Sequence, residues 1–273
     1  SPVRCWAARP AVRSVRVREA GGGRETYLVA ENEPQHCRLV RPHADGGYGL
    51  DALWNDDFHH AAIVGLSGRN EAYYTDYRGT PQEFVSMAKY GYLYQGQRYS
   101  WQKKARGTPS FDLDAARFVT FIQNHDQIAN SLRGRRIHAL CNPGSLRTMT
   151  ALLLLGPGTP MLFQGQELAA SAPFLYFADH NPELARLVAE GRREFLKQFP
   201  SLTHIEAEMA LPDPENEDTF RRCKLDFDDV SQHRDVHRLH RDLIALRKAD
   251  PLIHGGGRRA IDGAVLGTEA FLL

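Results

Sequence analysis

The chain has 273 residues, of which 42% are hydrophobic and 25% charged, with a formal net charge of +1 at pH 7. That length holds one large domain or two small ones, and the near-zero charge excludes a strong field aimed at nucleic acid or a membrane surface. The longest apolar run, Ala151–Leu155, is far too short to cross a bilayer. Cys5, Cys37, Cys141 and Cys223 lie far apart with no CxxC spacing. They read as thiols of a reducing compartment, the cytoplasm, with no disulfide or metal framework expected. No signal peptide is visible, although the chain opens at Ser1 without Met.

Taken in chain order, the Arg-rich opening (Arg4, Arg9, Arg13, Arg16, Arg18) predicts a solvated helix face. A first strand follows the Gly21–Gly23 breaker at Thr26–Ala30 (TYLVA), and a second lies at Leu50–Trp54 (LDALW). Asn55 or Asp56 is placed to cap a helix running through His59, His60 and Leu66, because a short polar side chain satisfies the first free amides. Thr80-Pro81-Gln82-Glu83 is a capping box with proline at the first helical position, and Gly91 is the expected stop. A third strand is predicted at Arg117–Ile122, a helix at Ser145–Leu155 ended by Gly156-Pro157-Gly158, and a fourth strand at Pro160–Phe163. Asn181-Pro182 opens a charged amphipathic helix to about Phe199, followed by a loop over Pro212–Asp218. Val236, Leu239, Leu243, Ile244 and Leu246 recur at helical spacing, and Pro251 closes that helix. Gly255–Gly257 reads as a linker, and Ala260–Leu273 as one or two strands. The alternation of strand and helix argues for an α/β fold with a parallel sheet.

Each strand runs into a polar cluster at its C-terminal end: Glu31-Asn32-Glu33, Asn55-Asp56-Asp57, Asn124-His125-Asp126 and Gln164-Gly165-Gln166-Glu167. In a parallel barrel those ends share one face, and that face holds the active site. One such cluster is an ordinary helix cap; four in succession favour catalysis. Glycoside hydrolysis needs two carboxyl groups flanking the scissile bond. Glu31 follows a wholly apolar strand, where desolvation would raise its pKa and suit it to donate a proton. Asp126, with Asn124 and His125 beside it, is expected to stay ionised and stabilise an oxocarbenium-like transition state.

TYLVAENE (Thr26–Glu33) resembles the third conserved segment of the α-amylase clan, and FIQNHDQ (Phe121–Gln127) resembles the fourth. The stretches GGYGLDALWNDDFHHA (Gly46–Ala61) and LLLLGPGTPMLFQGQELAASAPFLYFADH (Leu152–His180) resemble the malto-oligosyltrehalose trehalohydrolase family of that clan. The resemblance spans roughly Tyr27 to Pro251. It implies a (β/α)8 barrel and a C-terminal β-domain. It also implies hydrolysis of the α-1,4 bond next to the terminal trehalose of a maltooligosyl-trehalose, or of an α-1,4-glucan, with no cofactor and no metal. Residue by residue, it gives Glu31 the role of acid/base, Asp126 that of transition-state carboxylate and His125 that of a sugar-binding histidine. Trp54 and Asp56 resemble part of the trehalose-side wall, Asn124 neighbours the sugar, and Gln127 and Gln166 are candidate hydroxyl contacts.

The chain also departs from the family. The clan's nucleophile is an Asp in a segment resembling GFRLDA, shortly upstream of the Glu strand, whereas here the first Asp is Asp45. The expected organisation is therefore barrel strands five to eight within residues 1–252, with an inserted helical and loop segment over about 171–230. Residues 253–273 would begin a β-sandwich. Without the nucleophile these residues are expected to be inactive alone. Two other readings stand beside this one: a neighbouring clan activity (α-glucan hydrolysis or branching) and a non-catalytic glucan-binding relic.

His59-His60 beside Asp56-Asp57 invites a metal site, but adjacent helical residues point about 100° apart and do not share a face. Capping and packing, with some substrate contact, is the reading preferred. Most of Tyr73, Tyr74, Tyr77, Tyr90, Tyr92, Tyr94, Tyr99 and Trp101 are expected to be structural, with one or two in a glucan groove. The basic stretch Arg98–Arg106 reads as a solvated loop.

Overall fold

Strand ends and helix caps set the frame of the molecule. A computed structural model describes residues 10–131, 133–202, 211–255 and 261–273. Arg4, Cys5 and Arg9, most of the glycine linker and the start of the last predicted stretch lie outside the described residues. Helix α1 (Pro10–Ala20) is followed by β1 (Val29–Ala30), β2 (Ala52–Trp54) and α2 (Asp56–Ser67). Next come α3 (Pro81–Tyr90), an antiparallel pair β3 (Arg98–Tyr99) and β4 (Lys104–Ala105), and then β5 (Phe118–Thr120). The chain continues through α4 (His125–Ala129), α5 (Pro143–Leu155), β6 (Thr159–Pro160) and α6 (Pro182–Leu196). It ends with α7 (Glu217–Arg222), α8 (Asp229–Gln232), α9 (Arg234–Ala249), α10 (Pro251–Gly255) and the hairpin β7 (Ala264–Gly267) and β8 (Ala270–Leu272).

Strands β1, β2, β5 and β6 form one parallel sheet in that spatial order. Its register pairs Val29 with Ala52, Leu53 with Phe118 and Val119 with Thr159. The β2–β5 and β5–β6 crossovers carry α-helices and the β1–β2 crossover two short 3-10 turns, so the chain is α/β as the alternation predicts. The strands are shorter than expected, and β6 ends where the fourth strand was predicted to begin. β1 is an edge strand: Tyr27 is 59% and Val29 38% exposed, so its apolar sequence is not buried. Part of the predicted 212–218 loop is the start of α7.

The helix signals are local and the structure reproduces them. Asn55 accepts the amide of Phe58 at the start of α2. Thr80 and Glu83 close a capping box around Pro81, and Gly91 ends α3. Asn142 and Asn181 cap α5 and α6. The main apolar core joins α2, α3 and α5 through Phe58, Ala61, Phe84, Met87 and Leu153. Tyr74, Tyr77 and Tyr99 belong to the same core, while Tyr92 packs with Leu53 and Phe118 in a second cluster. Arg247 on α9 donates to the carbonyls of Leu154, Gly156 and Gly158, satisfying the open end of α5. Hairpin β7–β8 packs on α3, where Phe271 stacks against Phe84 and Lys89 pairs with Asp262 at 2.7 Å.

Candidate active site

Parallel pairing fixes the direction in which every strand delivers its next residues. β1 leads into Glu31, β2 ends at Trp54 before the Asn55 cap and Asp56, and β5 leads through Asn124 into α4. Asn124 caps α4 by accepting the amide of Gln127 at 3.0 Å, and this sets His125 and Asp126 in the helix's first turn. β1 and β5 flank β2 on either side. Their ends therefore converge on one cleft of about 350 Å³, lined by Glu31, Trp54, Asp56, Asn124, His125 and Asp126. Trp54 stands edge-on to Phe121 at 5.2 Å, and Asp126 accepts the side-chain amide of Asn130 at 3.2 Å.

The floor of the cleft is organised by Asp57, which is fully buried. It accepts hydrogen bonds from Gln35 Nε2, Tyr77 Oη and the amides of Leu93 and Tyr94 at 2.6–2.9 Å. Gln35 takes a left-handed conformation, φ 57°, to make its bond; a non-glycine residue there is uncommon and clusters at functional positions. Arg106 lies against this floor with only 2% of its side chain exposed. Its guanidinium is 3.7 Å from Asp57, 3.8 Å from Asp56 and 3.5 Å from Glu33, and rests 4.8 Å over the ring of Tyr99. Gly107 allows this approach: at φ 77°, a Cβ on it would lie 1.8 Å from the Tyr94 carbonyl.

These surroundings decide the titration of the cleft. Burial pushes the Asp56 carboxyl up to about 7; Arg106 opposes the rise, while Asp57, Glu31 and Glu33 add to it. Burial disfavours the charge on Arg106, but Tyr77, Asp57, Asp56 and Tyr99 outweigh it and hold the guanidinium above its ordinary value. Burial lowers His59 to about 4, against a hydrogen bond from its Nδ1 to the Ile122 carbonyl. It takes His60 well below its ordinary value too, helped by His59 and Arg106. His59 stacks on Phe121 at 5.1 Å, the packing role expected for it, and His60 lines the cleft. Among the described residues no group of three His, Cys, Asp or Glu side chains is arranged to hold a metal ion.

Three expectations need correction. Within this chain the Glu31 side chain is exposed, at the end of a strand paired on one side only, and the carboxyl that burial pushes up is that of Asp56. Arg106 is not part of a solvated loop but the buried cation of the cleft. Gln166 does not line the cleft; its side chain is buried at a separate cavity between α5 and α9. Gln127 does line the cleft. Sequence reasoning passed over Asn130 and Phe195, which also line it. Of the aromatic group, Tyr73 and Trp101 reach the cleft, edge to face at 5.9 Å.

Comparison with protein-family profiles gives no match. Individual proteins do match. The chain is 41% identical over 225 residues to the malto-oligosyltrehalose trehalohydrolase of Deinococcus radiodurans, covering 80% of this chain and 37% of that protein. It is 37% identical over 245 residues to that of Arthrobacter ramosus, covering 88% and 42%. It is 35% identical over 225 residues to that of Saccharolobus solfataricus, covering 82% and 37%. Among solved structures, an amylase-like protein from Salmonella typhimurium superimposes with a TM-score of 0.78 at 33% identity, over 93% of this chain and 43% of that one. The chain thus spans 37–42% of the length of these relatives. Over that stretch it belongs to the malto-oligosyltrehalose trehalohydrolase family.

Proposed function

We propose that these residues carry the proton donor and the charge-stabilising carboxylate of a retaining α-glucan hydrolase that releases trehalose from maltooligosyl-trehalose. The convergence of Glu31 and Asp126 on one cleft from next-neighbouring strand ends carries this reading. Glu31 protonates the glycosidic oxygen as the bond breaks, then takes the proton of the attacking water. Asp126 faces the positive charge that develops on the sugar ring, and His125, Asn124 and Gln127 hold its hydroxyls. Trp54 and Asp56 wall the trehalose side. In this reading the attacking carboxylate is an Asp upstream of the Glu31 strand, and in this sequence no Asp precedes Asp45.

In this reading residues 1–252 are the second half of a (β/α)8 barrel, residues 171–230 are an insertion, and the β7–β8 hairpin opens a β-domain. Among the described residues Cys141 and Cys223 are free thiols, which fits a cytoplasmic setting.

A second reading makes Asp56 the proton donor. Its raised pKa favours this, since a group titrating near 7 matches an acid catalyst working at neutral pH. Product analysis tests the substrate. The chain fused behind the N-terminal part of the Deinococcus radiodurans relative should prefer maltooligosyl-trehalose to a maltooligosaccharide of equal length, and Trp54→Ala should erode that preference more than overall binding. Equal cleavage of both substrates, or formation of α-1,6 branches, would move the assignment to a neighbouring clan activity.

A further inference from the structure

A separate cavity of about 310 Å³, sharing no lining residue with the cleft, is bounded by α5, α9, the turn at Ile137 and the 164–170 segment. Its volume is at the small end of ligand pockets, which run from about 300 to 1,000 Å³. Among the buried residues of its wall, Gln123, Gln166 and His240 each leave at least one polar side-chain atom without a hydrogen-bond partner among the described residues.

The chemistry of those atoms can be read from the bonds that the same side chains do make. Gln123 Oε1 accepts the amide of Ile137 at 2.8 Å, which leaves Nε2 as a donor. His240 Nδ1 lies 2.9 Å from the Val236 carbonyl. A carbonyl only accepts, so the proton is on Nδ1. Burial lowers the pKa of the ring, so at neutral pH Nε2 presents a lone pair. Gln166 leaves both its oxygen and its nitrogen unsatisfied. The set is therefore one donor, one acceptor and one group that is both, with no net charge. At the rim Arg147 and Asp235 cancel each other at 2.9 Å. Leu146 and Leu239 supply apolar wall between them. Ala169, also in the wall, is held at φ 47°, a left-handed conformation uncommon for a residue with a side chain.

An anion would call for a surplus of positive charge, and a cation for a surplus of carboxylates; the single Arg147–Asp235 pair, with His138 and His233 beside it in the wall, supplies neither surplus. A hydroxyl both donates and accepts, and a pyranose sets hydroxyls at its edge around an apolar face. We propose that this cavity is a second binding site, separate from the catalytic cleft, for a neutral polyhydroxylated molecule of mono- or disaccharide size. Unsatisfied buried amides are costly, and such a ligand would relieve them.

The test uses the 273-residue chain with glucose and trehalose as probes, and gluconate and glucosamine as charged controls of similar size. Calorimetry should give a saturable isotherm for at least one neutral sugar and none for the controls. Trp54 and Trp101 lie in the cleft and not at the cavity, so binding at the cavity should leave their fluorescence unchanged. Gln166→Leu should weaken the sugar about tenfold, the effect of one lost hydrogen bond, while Asp126→Asn should not. A crystal soaked in the sugar covers the case in which Gln166→Leu does not fold, and should show the ring between α5 and α9. Ordered water alone in the soaked cavity, binding removed by Asp126→Asn, or equal affinity for the charged controls would each overturn the proposal.

Discussion

The guanidinium of Arg106 lies 3.8 Å from the carboxylate of Asp56, so a buried cation stands beside the acid that burial has pushed up to about 7. The two effects oppose each other, and their balance sets how the cleft responds to pH.

Asp56 holds its proton more tightly in the folded chain than in the unfolded one, where its pKa is near 3.8. Its contribution to stability is fully present below that value and is lost as pH rises through about 7. His59 works the other way. Its folded value of about 4 lies below the unfolded 6.5, so its contribution is present above 6.5 and is lost as pH falls through 4. The native chain should therefore show a shallow pH profile. Asp56→Asn should gain stability relative to it as pH rises from 4 to 8, by on the order of a few kcal/mol. Urea denaturation of both proteins across that range measures the difference, and a flat difference would refute the assignment.

Arg106→Met keeps much of the side chain's volume and its contact with Tyr99 but removes the charge. It should destabilise the chain by about 3 kcal/mol, because it leaves buried carboxylates without their cation. The loss should be greater at pH 8 than at pH 5, where Asp56 can take up a proton. Adding Asp56→Asn should recover part of it at pH 8. Equal losses at both pH values would mean that Arg106 contributes packing alone.

Removing the proton donor should be visible in the choice of substrate. In the fusion with the Deinococcus radiodurans N-terminal part, Glu31→Gln should abolish cleavage of the natural substrate while leaving binding nearly intact. An activated aryl glycoside needs little protonation, so its glycosylation step should be largely retained. If Asp56→Asn shows that pattern and Glu31→Gln loses both substrates equally, the donor is Asp56.

On the proposed reading the 273 residues alone should be catalytically silent, since a retaining mechanism needs a nucleophile and no Asp precedes Asp45. Among the described residues β1 and β6 each pair on one side only, and such edges recruit other strands. Mixing the chain with a separately made fragment of the relative's N-terminal part should restore trehalose release, provided that fragment keeps its Asp. Sustained turnover by the purified chain would mean that the mechanism is misassigned.

The parts of this structure legible in the sequence are those decided within a few residues. The Thr80–Glu83 box, the Asn55 and Asn124 caps and the parallel alternation need only local spacing. Arg106 was illegible because its partners lie far away: Asp56 and Asp57 are about fifty residues upstream and Glu33 more than seventy. The exposure of Glu31 is not legible in TYLVA itself, because it depends on which strands flank β1 and not on the residue types of the strand. Gln166 follows its strand as Asp126 follows β5. The left-handed turns at Gly165 and Ala169 accompany its departure from the cleft, and nothing in the residue types announces the second of these.

The bonds from Arg247 to the end of α5 have a consequence in time as well as in energy. They span 89 to 93 residues of sequence. On a ribosome adding about 5–20 residues per second, the last carbonyls of α5 would wait roughly 5 to 20 seconds for their donor. Throughout that interval the apolar end of the helix, Ala151–Leu155, is without the clamp that later fixes it. A nascent chain paused before Arg247 should therefore be bound by chaperones at this segment, and released once α9 has emerged.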